Sequence, residues 1–284
     1  MPPLRDPLRG SLWMSGAVLS FCAMALAARQ LLAHMGPFEV VLMRSIVMLA
    51  IVGALVPRTG VAVLRTRRFP LHFLRNLVHF GGQCSWVFAL GALPLATVFA
   101  IEFTMPVWTV VLAALFLKER ISFPRLVALV LGLAGVLVIL RPGFAFVQPA
   151  ALVMLAGSLA YAASLIFTKR LTTTDAPLAV LFWMSVIQLP MGLVASLPGW
   201  VTPVASDFPW ILAVGVGSYT AHYCLTRAVH IADASVVVGI DFTRLPLIAL
   251  IGAAVYGEGL DPLVFVGAAI IFAGTYYSIS RERA

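Results

Sequence analysis

Residues 101–106 read IEFTMP and residues 240–246 read IDFTRLP, with the two isoleucines 139 positions apart. Each stretch sets a carboxylate, Glu102 or Asp241, inside an apolar run and follows it with Phe and Thr. In low-dielectric surroundings such an acid has three uses. It pairs with a cation, it binds and releases a proton, or it receives the cationic part of a ligand. Arg244 follows Asp241 by three residues and shares its helical face, so that pair can neutralise itself. The same two groups can instead contact a zwitterionic ligand or carry a coupling proton. Glu102 must find its cation on another element, and Arg44 is the candidate. At 1.5 Å per residue Glu102 lies about 12 Å below the outer end of its apolar run and Arg44 about 9 Å below the same end of its own, so the two are expected to pair.

A second group is polar but uncharged. His79, Gln83 and Trp86 stand at i, i+4 and i+7, one stripe of a helix. Tyr219, His222, Tyr223 and Thr226 share a face of a later helix, and His222 occupies the repeat position of Gln83. Polar tips on aromatic bodies suit a cavity for a partly apolar ligand. They also suit hydrogen bonds between packed helices. Phe21, Tyr161, Phe99 and Phe103 fall at similar levels. Together these residues form the candidate binding set and favour an aromatic or apolar ligand over a sugar or an inorganic ion. Cys22, Cys84 and Cys224 have no metal-ligand or disulfide spacing and read as small packing residues.

The elements that must hold these side chains follow from composition. Hydrophobic residues make up 62% of the 284, charged residues 11%, and the mean hydropathy is +1.03. An ordinary soluble domain carries about 25% charged residues. Apolar runs of membrane-spanning length can be marked ten times, near 10–32, 38–57, 71–91, 94–117, 124–141, 148–170, 177–197, 208–229, 234–256 and 262–280. Only helices or closed barrels satisfy the backbone in lipid, and runs this long without alternation predict helices. The chain is read as an all-α integral membrane protein of ten spans.

The formal charge of +8 is not gathered into one patch suited to nucleic acid. With the N-terminus inside, fifteen Lys and Arg residues fall on the inner side and only Arg29 and Arg141 outside. That bias predicts both termini in the cytoplasm and, in a bacterial cell, an inner-membrane location. The first run mimics a secretory signal but is expected to be a retained helix, because a similar stretch recurs later. Trp13, Trp200 and Trp210 sit at span ends, as interfacial anchors do. Pro106 and Pro246 are expected to interrupt spans four and nine, Gly81 and Gly82 span three, and Gly215 and Gly217 span eight, giving broken or bent helices that can line a cavity and serve as hinges. Glu119 and Glu258 end spans four and nine and read as caps or salt bridges.

The chain is also a duplication. Leu12, Met14, Phe21, Ala23, Arg29 and Leu31 align at an offset of 140 with Leu152, Met154, Tyr161, Ala163, Lys169 and Leu171. Ile101, Phe103, Thr104, Glu119 and Gly135 match Ile240, Phe242, Thr243, Glu258 and Gly274 at an offset of 139. The halves are residues 1–141 and 142–284. Five spans is an odd number, so the second half enters the membrane from the opposite side, as in many secondary transporters. The stretches PLATVFAIEFTMPVWTVVLAALFLKERISFPRLVALVLGLAGVLVIL and ASVVVGIDFTRLPLIALIGAAVYGEGLDPLVFVGAAIIFAGTYY resemble the EamA repeat of the drug/metabolite transporter superfamily. The resemblance implies a basket of ten helices that exports or exchanges small metabolites by alternating access.

No phosphate-binding loop, serine-hydrolase elbow, zinc-protease motif or magnesium-binding aspartate cluster is present in the sequence. The GVGSYT stretch at 215–220 lacks the lysine of a phosphate loop. The chain is therefore expected to need no cofactor, metal, nucleic acid or ATPase subunit, and to work on a small-molecule substrate in the bilayer. Amino acids with aromatic or apolar side chains come first as substrates, then purines and cationic drugs. A membrane-embedded lipid-handling enzyme, a flippase and a passive channel are the readings of other classes.

Overall fold

The structure, a computed structural model, describes residues 7–117, 122–141, 148–232 and 234–281. Among them twelve α-helices follow in order, with no strand: α1 (Pro7–Leu31), α2 (Pro37–Thr59), α3 (Phe69–Ala92), α4 (Leu95–Glu102), α5 (Met105–Leu117), α6 (Phe123–Leu140), α7 (Pro149–Leu171), α8 (Pro177–Ser196), α9 (Phe208–Ile231), α10 (Ala234–Asp241), α11 (Arg244–Tyr256) and α12 (Pro262–Arg281). Prolines mark many of the starts. Pro37, Pro70, Pro124, Pro149, Pro177 and Pro209 stand at the first or second helical position, where a missing N–H breaks no intrahelical bond.

Spans four and nine are each two helices. Pro106 and Pro246 lie in the first turn of α5 and of α11, and the breaks fall just before them at Phe103–Thr104 and Phe242–Thr243. A proline has no N–H for the carbonyl four residues back, so the first half of the span must end there. Both breaks close alike. Thr104 Oγ1 donates to the Ile101 carbonyl at 2.7 Å and Thr243 Oγ1 to the Ile240 carbonyl at 2.6 Å, while the N–H groups of the same threonines reach the same carbonyls at 3.0 Å. Phe103 and Phe242 stack across the meeting point with centroids 4.2 Å apart.

The glycines differ from expectation, because α3 and α9 run unbroken through Gly81, Gly82, Gly215 and Gly217. Three of the four mark close packing. A Cβ on Gly82 would stand 3.0 Å from the Tyr161 ring, one on Gly215 2.3 Å from the Val47 Cβ, and one on Gly217 3.2 Å from the Ser20 carbonyl oxygen. Gly81 faces open space.

With each broken pair taken as one span, the described helices make ten. Eight stretches are long and apolar enough to cross a membrane on length and composition. The other two long helices are α3 and α9, 24 residues each, which carry the polar stripes with His79 and His222. Most neighbours obey a pseudo-two-fold: α1 packs on α9 as α7 packs on α3, α4 packs on α7 as α10 packs on α1, and α5 packs on α7 as α11 packs on α1. The pairs α2–α8 and α6–α12 map onto themselves, whereas α4–α11 has no comparable α5–α10 contact among the described residues. A buried core of Leu31, Val41, Leu90, Leu95, Phe99, Ile248 and Ile271 ties the two sets together.

Candidate functional site

Arg244 stands where the two broken spans meet and is 4% exposed. Its Nη2 lies 3.2 Å from Glu102 Oε1, and its Nε 3.3 Å from Asp241 Oδ1. The guanidinium also sits over the rings of Phe21, Phe99 and Phe103, at 4.8, 5.0 and 5.1 Å from their centroids. The second Glu102 oxygen accepts a hydrogen bond of 2.8 Å from Trp86 Nε1. One arginine thus joins a carboxylate from each repeat inside an aromatic cage. Among the described residues no second cation is in ion-pair contact with either acid.

The expected Arg44–Glu102 pair does not form. Depth fixes only one coordinate, and the lateral neighbours of α2 are α8 and α9 rather than α4. Arg44, 1% exposed, donates to Gln188 Oε1 at 2.5 Å and to Ser218 Oγ at 3.3 Å. Gln188 in turn donates to His79 Nδ1 at 2.9 Å. Arg75 continues the polar group, donating to Asn76 Oδ1 at 2.8 Å and to Thr168 Oγ1 at 3.1 Å.

His79 connects this group to the rest of the candidate set. Its ring lies 5.5 Å from Tyr161 and 6.3 Å from His222, and the His222 ring meets Phe21 edge-on at 5.8 Å. Tyr161 donates to Gln83 Oε1 at 3.2 Å. The residues His79, Gln83, Tyr161, His222 and Phe21 are therefore contiguous, and Phe21 hands over to Arg244 with Phe99, Phe103 and Trp86. Tyr219 and Tyr223 form a separate aromatic group. They stack on each other at 6.1 Å, Tyr223 meets Trp13 edge-on at 5.8 Å, and Tyr223 is 42% exposed.

Sequence reasoning missed Gln188, Ser218, Asn76 and Ser158. Ser158 bridges Thr104 at 2.8 Å and Trp108 at 3.0 Å. Gln188 had a readable signal, an isolated amide in the apolar run LFWMSVIQLPMG. The small serines had none. A groove of about 900 Å³ at the arginine-rich end, lined by Arg65, Arg67, Arg68, Thr66, Thr174, Asp175 and Trp183, includes none of the expected binding residues.

Glu258 acts as both cap and salt bridge. It pairs with Arg29 and accepts the Leu95 N–H at 2.8 Å, which caps the start of α4 rather than the helix it follows. Arg29 also reaches the Leu93 carbonyl at 3.1 Å. Glu119, with Lys118 and Arg120, lies outside the described residues.

Comparison with known proteins agrees with this architecture. The model of the EamA-like transporter family matches twice, over residues 8–141 and 148–280. An S-adenosylmethionine uptake transporter of Rickettsia prowazekii is 25% identical over 280 residues, 99% of this chain and 95% of its own length. A riboflavin transporter of Vibrio cholerae is 29% identical over 93% of this chain and 91% of its own. One of Rhizobium johnstonii is 31% identical over 79% and 75%. A solved crystal structure superposes with a TM-score of 0.68 over 96% of this chain and 97% of its own at 20% identity, which speaks for the fold alone.

Proposed function

Because the chain belongs to the EamA-like transporter family, we propose that it moves a small metabolite bearing a planar aromatic ring across the membrane by alternating access, with the ring held between the repeats. The observation that carries this reading is Arg244, which ties Glu102 of one repeat to Asp241 of the other above three phenyl faces. A rocking motion of one repeat against the other must separate or remake that contact. Two acids against one guanidinium also leave one negative charge over, and burying it alone costs at least about 2.5–3.5 kcal/mol. A cationic substrate group or a proton supplies the balance. Substrate and proton then compete for the same pair, which is the minimal arrangement for exchange.

The metabolites in the relatives' names, S-adenosylmethionine and riboflavin, both combine a fused heteroaromatic ring with polar appendages. That favours a nucleoside-like or flavin-like ligand ahead of the aromatic or apolar amino acids, purines and cationic drugs expected from sequence, of which the aromatic amino acids and purines meet the ring requirement. The arginine bias supports a topology with both termini in the cytoplasm, which reporter fusions at either end test directly. Counterflow in proteoliposomes, with S-adenosylmethionine, riboflavin, adenosine, tryptophan and a quaternary amine as the panel, tests the substrate class. Saturable counterflow of at least one ring-bearing compound is expected. Its absence for all of them, or chemical conversion without solute movement, sinks the proposal and favours a lipid-handling enzyme.

A further inference from the structure

Arg44 and Arg75 are buried guanidiniums whose partners are all neutral. Gln188, Ser218, Asn76 and Thr168 supply the oxygens, and among the described residues no carboxylate lies within ion-pair distance of either. The Arg44 Nε is buried and has no hydrogen-bond partner at all. Arg244, by contrast, has two acids. The interior is therefore polarised, with surplus negative charge around Glu102 and Asp241 and surplus positive charge around Arg44 and Arg75. Uncompensated cations at this depth are costly and mark ligand or ion pathways.

Gln188 shows how that charge reaches the aromatic space. Its amide oxygen accepts from Arg44 and its amide NH2 donates to His79 Nδ1, which places the ring proton of His79 on Nε2. That Nε2–H makes no hydrogen bond to the described protein, on a side chain that also meets Tyr161 and His222. His79 is thus a held hydrogen-bond donor with a guanidinium behind it, next to the rings that connect to Arg244.

We infer that the substrate of the proposed transport reaction carries an anionic group, a carboxylate or a phosphate, which His79 receives in the field of Arg44 and Arg75. Arg44 is a positioning residue, because it acts through Gln188. A ligand bound this way lies along the polarity of the interior, its anionic end at His79 and its cationic or ring portion toward Glu102 and Asp241. The inference rests on the transport reading for the location of the substrate but not for the charge preference.

Matched probes separate the two. Adenosine 5′-monophosphate against adenosine, and indole-3-acetate against indole-3-acetamide, are compared by thermal stabilisation of the purified full chain and by competition in counterflow. The anionic member of at least one pair is expected to bind about tenfold more tightly, the size of one screened charge contact. Arg44→Gln should abolish that preference while changing the neutral member's affinity less than threefold, and Arg44→Lys should keep it. Arg75→Gln serves as the second variant if Arg44→Gln does not fold. Equal binding of charged and neutral members by the wild type overturns the inference, as does a folded Arg44→Gln that weakens both equally. Stabilisation by the anionic probes without counterflow upholds the inference and overturns the transport proposal. Counterflow without an anion preference does the reverse.

Discussion

The guanidinium of Arg244 stands between one carboxylate from each repeat, so its removal leaves two partly buried acids with no cation in contact among the described residues. Breaking a fully buried pair from one side costs about 3–5 kcal/mol, an upper bound here because the side chains of Glu102 and Asp241 are 17% and 27% exposed. Arg244→Met should therefore lower thermal stability in detergent by up to that amount and abolish counterflow. Adding Glu102→Gln and Asp241→Asn should restore most of the stability and none of the transport. A single variant as stable and active as the wild type ends the central role given to Arg244. The acids and the arginine were legible in the sequence because charge is conspicuous among apolar residues. Which acid meets which arginine was not. Glu102 and Arg44 have matching depths, yet the lateral order of the helices separates them, and helical spacing along one chain carries no information about that order.

At the scale of elements, the repeated FT dipeptide explains itself once the breaks are seen. Phenylalanine stacks on its counterpart, threonine bonds back to the isoleucine carbonyl three residues earlier, and proline stands in the first turn of the next helix. The sequence displayed the repeat and the prolines that interrupt it but not the threonine back-bond, which is a three-dimensional event. The glycines divide in the same way. Gly82→Ala should destabilise the α3–α7 contact, where the added methyl meets Tyr161 and the Gly157 carbonyl. Gly81→Ala, one residue away in open space, should stabilise by about 0.4–1 kcal/mol through the unfolded chain. Thermal unfolding of the two variants side by side checks this, and equal effects would remove the packing explanation. The turns between helices carry a related device. His34 pairs with Asp207 at 2.8 Å, and His72 with Asp175 at 2.7 Å, so in each repeat the turn after the first helix is tied to the third span of the other. Burial opposes the charge on Asp175, but hydrogen bonds from Thr66, His72 and Thr174 outweigh it and hold the carboxyl below its usual range. For Asp207 the His34 bond leads, followed by the Val204 N–H, with the same direction. A carboxyl lowered on folding stabilises above its unfolded pKa of about 3.9 and loses that contribution as pH falls through the folded value. The stability gap between wild type and Asp175→Asn should stay constant from about pH 7 to 5 and close below about pH 4. A gap that already closes between pH 7 and 5 would assign the stabilisation to another group.

Across the whole molecule the pseudo-two-fold is followed more closely by the main helix pairs than by charge. Contacts such as α1–α9 and α3–α7 map onto one another under exchange of the repeats, while Arg244 has no cationic counterpart in the first repeat, where Met105 follows Glu102 by three residues. The duplication made the fold readable from sequence, because one half predicts the spans of the other. The site is legible only in its components, because it is built from the places where the halves differ. The same asymmetry operates at the end of the bundle opposite the arginine-rich turns. There α4 packs on α11, and Glu258 holds both the first N–H of α4 and the Arg29 guanidinium. Glu258 bridges the repeats at this end, so replacing its charge should loosen α4 more than any helix at the other end. Glu258→Gln keeps a hydrogen-bond acceptor for Leu95 but gives up the ion pair with Arg29. Backbone amides of 95–101 should exchange faster in that variant by several-fold in hydrogen–deuterium exchange, and those of 236–241 should not change. Uniform acceleration would mean that Glu258 supports the fold as a whole. No acceleration would mean that apolar packing of α4 on α11 closes this end without it.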